Sequence, residues 1–553
     1  MRNHIMSFDE NSSSSIANSN VTETKSFTDN EKKNFEIPQI VEEANSTVDA
    51  QQDDDNEIIQ YPEGQKWQKT DYFSSTTKEY LFVFSCMMSQ LLNQAATPQT
   101  LSIMNVLSDS FKSEGGNQTW LMASFPLVSG SFILISGRIG DIYGLKKGLI
   151  GGYIMFIIWS IISGLTYYSH NDTFFIVCRA FQGLGVAFIL PNVLGIVGNV
   201  YIPGTFRKNM VISMIGACAP IGAALGSTFA GLIGTEDPNQ WPWAFYAFGI
   251  TSAINLSISI YGIPNDIPTN IHGFSMDWLG SLLAVIGLIL LNFVWNQGPI
   301  VGWEKAYIIV LLIISVFVLI IFIIYELKVA TVPLLPREIM KNRYMLMVLL
   351  ALFLGWGSFG IFSFYYFSFL LNLRNYTALW AGGTYFMFAI FGIVAALIVG
   401  FTIKKATASI ILFISMVAFT VGTAMLSVTP VKQTYFRMNL GTMIILSFGM
   451  DMSFPAASII LSDFLPMQYQ GMAGSLANTM VNYSMSLCLG MGTTVERQVN
   501  KSGKDTLKGY RGAEYLGIGL AGLGAIIAFS FMIEKYWSER KENLEKSKKV
   551  DLS

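Results

Sequence analysis

The chain is 553 residues long, 52% hydrophobic and 13% charged, about half the charged share of an ordinary soluble domain, which is roughly 25%. Its 35 basic and 37 acidic side chains nearly cancel, so no basic excess points to nucleic acid as a partner. A water-soluble multidomain enzyme and a nucleic-acid binder are both disfavoured, and the lipid bilayer becomes the first partner to consider.

Four cysteines, Cys86, Cys178, Cys218 and Cys488, each lie in an apolar stretch. They suggest neither a disulfide framework nor a zinc site. The N-terminus shows no apolar run followed by a small-residue cleavage site, so no signal peptide is expected. Residues 1–70 carry 14 acidic against 6 basic side chains, with a serine run at Ser12–Ser15 and the triplet Asp53-Asp54-Asp55. Such a segment buries too little apolar surface to fold alone. It reads as a disordered acidic cytoplasmic tail, either a regulatory or trafficking segment or a plain solvated leader.

From residue 79 onward, apolar blocks of about 20 residues alternate with short polar loops, the length one helix needs to cross a hydrocarbon core about 30 Å thick. Fourteen spans are predicted. Six cover residues 79–263, with limits 79–106, 119–136, 149–168, 173–197, 211–233 and 243–263. A central pair covers 278–325, as 278–295 and 307–325. Six more cover 344–537, as 344–371, 380–401, 408–428, 440–461, 472–493 and 515–537, and a short tail, 538–553, follows. An even number of spans puts both termini on one side. That side holds 20 Lys and Arg residues against 10 on the other, which makes it cytoplasmic. The expected fold class is all-α and integral to the membrane, with two six-helix bundles and a central helix pair, an architecture suited to alternating access around a midplane site.

Taken in chain order, the polar residues inside or between these spans are the candidates for chemistry. In the first span Gln90, Asn93, Gln94 and Thr97 share a helical face ahead of Pro98. They either line a substrate path or hydrogen-bond between helices. The loop after the second span reads Gly137-Arg138-Ile139-Gly140-Asp141-Ile142-Tyr143-Gly144-Leu145-Lys146-Lys147-Gly148. Its glycines let helix ends approach closely, and its acid and bases can pair in a tight corner; the simpler alternative is positive-inside anchoring. Arg179, in Arg179-Ala180-Phe181-Gln182-Gly183-Leu184-Gly185, is the one basic side chain inside a predicted span. Placing Arg mid-helix costs about 2.5–3.5 kcal/mol on insertion scales, so it should face a cavity or a partner.

The fifth span carries Gly216-Ala217-Cys218-Ala219-Pro220-Ile221-Gly222-Ala223-Ala224-Leu225-Gly226. Small residues there permit close packing, and Pro220 removes the amide that would bond the Gly216 carbonyl. In the ninth span Phe359, Phe362, Tyr366 and Phe369 share a face, with Trp356 nearby; they either wall a binding cavity or simply pack. Asp451 is the one acid in the middle of a span, and Pro455, four residues on, cannot donate to its carbonyl. A proton or cation site is the natural reading, and a permanently neutral Asp bonded to a neighbouring helix is the alternative.

The loop after the second span resembles the cytoplasmic signature of the major facilitator superfamily. The fourth- and fifth-span segments resemble two further signatures of its proton antiporters. Together, over residues 79–537, the chain is similar to the fourteen-span drug:proton antiporter branch. The segments 449–458 and 471–484 are most similar to yeast transporters of aminotriazole resistance and boron efflux. The resemblance implies an inner gate formed by Gly137, Arg138, Asp141, Gly144, Lys146 and Lys147, with Asp141 latching onto the second half near Gly471. It implies that Arg179, with Gln182, Gly183 and Gly185, tunes proton release from a carboxylate, and that Gly216, Pro220 and Gly222 mark an exporter. Ala219 and Ala223 stand where the family favours glycine, and the second-half counterpart loop, Gly400–Lys405, lacks the acid. Many members of the branch have an acid in the first span; its absence here points away from strongly cationic cargo.

The implied function is proton-coupled export of small toxic compounds, aminotriazole-like, borate or drug, with Asp451 as the proton carrier. The protein would work as a plasma-membrane monomer, or alternatively in the vacuolar membrane. A siderophore or nutrient importer of the same fold would reverse the flux, and a non-transporting membrane sensor is the other alternative. No cofactor, metal or enzymatic activity is expected: the three histidines, His4, His170 and His272, fall outside the spans, and no zincin, Walker or nucleophile-elbow motif occurs.

Overall fold

The structure, a computed structural model, describes residues 72–550 apart from 113–116, 202–204, 269–272, 274, 403–406, 466–469 and 501–502. The expected acidic tail at 1–70 and the pair Lys404 and Lys405 lie outside the described residues. In chain order the first helices are α1 (Thr76–Ser102), α2 (Met104–Phe111), α3 (Gln118–Tyr143), α4 (Leu145–Leu165), α5 (Asp172–Val200), α6 (Phe206–Glu236) and α7 (Pro242–Gly262). Then come α8 (Trp278–Val301), α9 (Ala306–Lys328), α10 (Arg337–Lys341), α11 (Arg343–Ser368) and α12 (Ala378–Gly383). The last are α13 (Phe386–Thr402), α14 (Ala408–Val428), α15 (Asn439–Phe464), α16 (Gln470–Asn500) and α17 (Thr506–Val550).

Helix starts follow capping chemistry. The side chains of Ser75, Asn171, Thr205 and Asp277 accept from the backbone amides of Lys78, Phe174, Lys208 and Gly280 at 2.8–3.3 Å, each satisfying a donor the helix leaves open. The corner between α3 and α4 turns on Gly144, whose φ of 120° is closed to residues with a side chain.

Among the described residues, twelve helical segments are long and apolar enough to cross a membrane, with α12 and α13 counted as one. Two further helices, α1 and α16, are as long but more polar, and their side chains explain why. α1 carries Ser85, Ser89, Asn93 and Gln99, and α16 carries Ser475, Asn478, Thr479, Ser484 and Ser486, all buried. These two helices put their polar groups against protein, where hydrogen bonds are available, rather than against lipid. The opposite extreme is α9, only 17% buried in its most apolar stretch, against 89% for α3.

Within the first half α1 packs on α6, and α5 lies between α3 and α4. In the second half α11 packs on α16 and α17, and α14 on α15 and α17. The halves meet along two seams, α3 against α16 and α6 against α12 and α13. The central pair attaches through α8. Asn296 Nδ2 donates to the Ser486 carbonyl at 3.1 Å, the Ser486 hydroxyl to Asn292 Oδ1 at 2.9 Å, and the Tyr483 hydroxyl to the Leu288 carbonyl at 2.9 Å.

Several expected limits change: the second span runs on to Tyr143, so the motif expected as a loop is helical on both sides of Gly144, and three further changes have local causes. The first span breaks at Ile103 into α1 and α2, where the Ser102 hydroxyl bonds back to the Gln99 carbonyl at 3.0 Å and competes with the helical ladder. The tenth span breaks after Gly382-Gly383 into α12 and α13, glycines being the weakest helix formers after proline. The tail expected at 538–553 continues α17 to Val550, its Glu, Lys and Arg being good helix formers.

Candidate functional site

The two ends of the helix array are called proximal, where α1 begins, and distal, where it finishes. Between the seams lies a cavity of about 40 Å³, lined from both halves. The first half brings Asn93, Gln94, Thr97 and Pro98 of α1, with Phe125 and Pro126 of α3. The second half brings Trp356, Phe359 and Ser363 of α11, Tyr385, Met450, and Asn482 and Met485 of α16. None of its lining side chains carries a formal charge. Its size suits a few waters, each needing about 10–15 Å³ by this measure.

The two halves touch on both sides of the cavity. Proximally, Gly137 faces Ser475 so closely that a Cβ would lie 3.1 Å from the serine hydroxyl. Distally, Asn105 Nδ2 donates to Asn372 Oδ1 at 2.7 Å, and the Ser227 hydroxyl to the Gly382 carbonyl at 3.0 Å. A larger hollow of about 280 Å³ lies at the proximal end around Lys146 and Ile263, lined by the first half alone.

The expected polar stripe of α1 therefore divides: Asn93, Gln94 and Thr97 face the cavity, whereas Gln90 is not among its walls. The aromatic face of α11 divides too. Trp356 and Phe359 line the cavity, and Phe362 and Tyr366, fully buried, stack behind them with ring centroids 5.9 and 5.3 Å apart along the row. Trp356 is fixed by donating its indole N–H to the Ser453 hydroxyl at 3.0 Å. Sequence reasoning missed Ser363, Tyr385 and Asn482. Asn482 carried a signal, since it follows Asn478 at i+4 on a polar helix; Tyr385 did not, because it sits in the break between α12 and α13.

Asp451 lies beside the cavity rather than on its wall, next to the lining residue Met450. Its carboxylate reaches the α6–α13 seam at Gly392: a Cβ there would meet Asp451 Oδ2 and stand 2.7 Å from Pro220 Cβ. The buried Oδ2 makes no hydrogen bond. Asp451 and the Pro220 of the fifth-span motif, 231 positions apart in the chain, thus converge on one point between the halves.

Arg179 is placed differently. It is completely buried, donates to Gln182 Oε1 and to the Ala96 carbonyl at 2.8 Å, and lies over the rings of Phe125 and Phe245 at 4.7 and 5.8 Å. Gln182 passes the chain on to the Ser160 hydroxyl at 2.6 Å. The carboxylate expected beside Arg179 is not among these partners; the guanidinium ties α5 to the carbonyl face of α1 next to Thr97. The surrounding glycines serve contact. A Cβ on Gly183 would overlap the Phe125 carbonyl, on Gly185 it would lie 2.8 Å from the Phe156 amide, and on Gly222 it would overlap the Leu91 carbonyl. Gly216 faces open space.

At the proximal corner Arg138 is buried and Asp141 and Lys147 are exposed. Lys146 donates to the carbonyls of Ile260 and Ile263 at 2.9 and 2.6 Å and to Asn265 Oδ1 at 2.7 Å, placing its charge at the C-terminus of α7. Residues 466–469, just before α16, lie outside the described residues. An ion pair not anticipated from the sequence joins α1 to α6: Arg207 donates to Glu79 Oε2 at 2.5 Å and the Tyr201 hydroxyl to Glu79 Oε1 at 2.9 Å.

Two halves of membrane-length helices around a central cavity fit a membrane transporter. The profile of the Major Facilitator Superfamily matches residues 81–488, and the chain belongs to that family. It is 66% identical to the aminotriazole resistance protein of Saccharomyces cerevisiae, over 94% of this chain and 96% of that one. It is 41% identical to a low affinity ammonium transporter of the same yeast, over 85% of this chain and 91% of that one. Among solved structures it shares its fold with a POT family transporter crystallised with a thioalcohol-conjugated peptide, at a TM-score of 0.62 and 13% identity, over 85% of this chain and 98% of that one.

Proposed function

We propose that the protein is a proton-coupled exporter of small neutral compounds, of which aminotriazole and boric acid are the first candidates. The observation that carries this is the carboxylate of Asp451, whose buried oxygen is unpartnered at the seam where the halves must slide, one residue from the cavity wall. A bound proton removes the cost of an unpaired charge there, and so lets the seam close. When the distal end is open Asp451 takes up a proton as cargo leaves; when the proximal end is open it gives the proton up as new cargo binds. The uncharged cavity, with amides and hydroxyls set among aromatic rings, suits a neutral hydrogen-bonding cargo. Export is supported by the likeness to a protein named for aminotriazole resistance.

In this reading all fourteen long helical segments span the membrane, in two bundles at 79–263 and 344–537 with a central pair at 278–325. Both termini face the cytosol, and the protein works as a monomer in the plasma membrane. Arg179 holds α1 in position beside the cavity, and Asp141 latches the proximal, cytoplasmic end. The relative named as an ammonium transporter gives a second reading, a nutrient importer of the same fold. Vesicles of known orientation separate the two. With an imposed proton gradient, the exporter accumulates labelled aminotriazole or borate only when its cytoplasmic face is outward, and Asp451→Asn abolishes accumulation. Accumulation with the opposite orientation would establish the importer.

A further inference from the structure

A second carboxyl group, on another helix, is buried more deeply than the half-buried Asp451. Glu514 stands about two turns into α17 and is 2% exposed. Neither of its carboxyl oxygens has a hydrogen-bond partner, and no ion pair reaches it among the described residues. Buried polar groups are normally satisfied, and those that are not call for an explanation.

The groups around it come from the helices packed against α17. α14 brings no titratable side chain. α11 brings Tyr365, itself 2% exposed and within electrostatic range of Glu514, Glu496 and Tyr510. The Tyr365 hydroxyl lies near Thr493 yet makes no hydrogen bond. α16 brings Glu496, which accepts from Asn500 at 2.8 Å, and Arg497, which spends itself on the Pro299 carbonyl at 2.8 Å. On α17 itself, Arg511 makes one long bond, 3.4 Å, to the Thr429 carbonyl. Two acids and two tyrosines thus gather with both nearby guanidinium groups turned to backbone carbonyls.

This cluster is wired to the distal closure. The ring of Tyr365 packs on that of Tyr510 at 5.3 Å between centroids. The Tyr510 hydroxyl accepts from Asn372 Nδ2 at 3.0 Å, and Asn372 Oδ1 accepts from Asn105 of the first half at 2.7 Å. The last of these bonds must break for the distal end to open.

We propose that Glu514 is a proton-binding site of the distal closure, filled while the two halves are joined through Asn105 and Asn372 and emptied when they part. The proton binds one carboxylate oxygen, comes from water on the distal side and returns there; no covalent bond changes. With the distal end shut, an ionised Glu514 would have neither water nor a counter-charge, so closure requires the acid form. Opening admits water beside Tyr510 and stabilises the carboxylate. This role is independent of Asp451.

The test uses the full chain in lipid nanodiscs, with spin labels at Lys112→Cys and Lys432→Cys on the distal loops of the two halves, and infrared spectra of the carboxylic-acid C=O stretch. In the wild type the label separation should lengthen as pH rises, together with loss of an acid band. Glu514→Gln should remove that band and hold the short separation at every pH. Glu514→Asp, which keeps a titrating group, should retain the pH response, and Tyr365→Phe should shift the band without removing it. Asp451→Asn should leave the Glu514 band in place. A Glu514→Gln protein that keeps the band and opens with pH as the wild type does would overturn the proposal. So would a response that Asp451→Asn alone abolishes.

Discussion

Two charged residues inside the helix array, the fully buried Arg179 of the first half and the half-buried Asp451 of the second, are handled in opposite ways. Arg179 meets a carbonyl, an amide oxygen and two aromatic faces. Asp451 meets a glycine gap and a proline, with Oδ2 left bare. A guanidinium carries five donors in a rigid plane and can be satisfied by neutral acceptors and ring faces inside a protein. A carboxylate needs donors, and a seam built of Pro220 and Gly392 supplies none. The difference teaches that burial alone does not mark the working charge. The guanidinium, bonded through both terminal nitrogens and left without a partner only at Nε, holds helices together, and the carboxylate with its bare Oδ2 is free to exchange its proton.

That contrast yields tests of graded size. Asp451→Asn should have the largest effect on activity and the smallest on folding, abolishing gradient-driven accumulation while the melting temperature in detergent stays that of the wild type. Arg179→Ala should do the reverse. It strands the Ala96 carbonyl and the Gln182 side chain, at about 1–3 kcal/mol for each orphaned group, and should show as a clear drop in melting temperature and in yield of folded protein. If Arg179→Ala were instead as stable as the wild type and lost only its pH response, the contrast would collapse and Arg179 would belong to proton chemistry. Gly222→Val should separate α1 from α6 at about 1–3 kcal/mol, the usual scale of overpacking, again read by thermal stability. Asn482→Ala removes one cavity amide. With a hydrogen bond contributing about 1 kcal/mol, it should weaken apparent cargo affinity by roughly fivefold, measured as the concentration for half-maximal export, and leave stability unchanged.

Much of the fold was legible because lipid enforces a simple rule, that a helix facing it must be apolar along most of its length. The rule works best for α9, exposed at Ile313, Phe317 and Ile324, and least for α1 and α16, whose polar residues are sheltered by neighbours. The site was legible in part for a related reason. Asp451 stood out as a lone acid in an apolar run, and Asn93, Gln94 and Thr97 as a stripe on one helical face. Which of them share a point in space depends on how the halves dock, and periodicity within one helix carries no information on that. So the meeting of Asp451 with Pro220 went unseen, as did the wall position of Tyr385 in a helix break. Likewise no sequence pattern pairs Glu79 with Arg207, 128 positions apart, which the packing of α1 on α6 brings to 2.5 Å.

The central claim is that cargo and a proton exchange through Asp451, and proton release on cargo binding tests it most directly. Purified protein in weakly buffered detergent solution, mixed with aminotriazole or boric acid, should release protons into the medium over a defined pH range. Asp451→Asn should release none, while still binding cargo by an independent measure such as thermal shift. Equal proton release from the wild type and Asp451→Asn would contradict the account, and so would cargo binding by the wild type with no release at any pH.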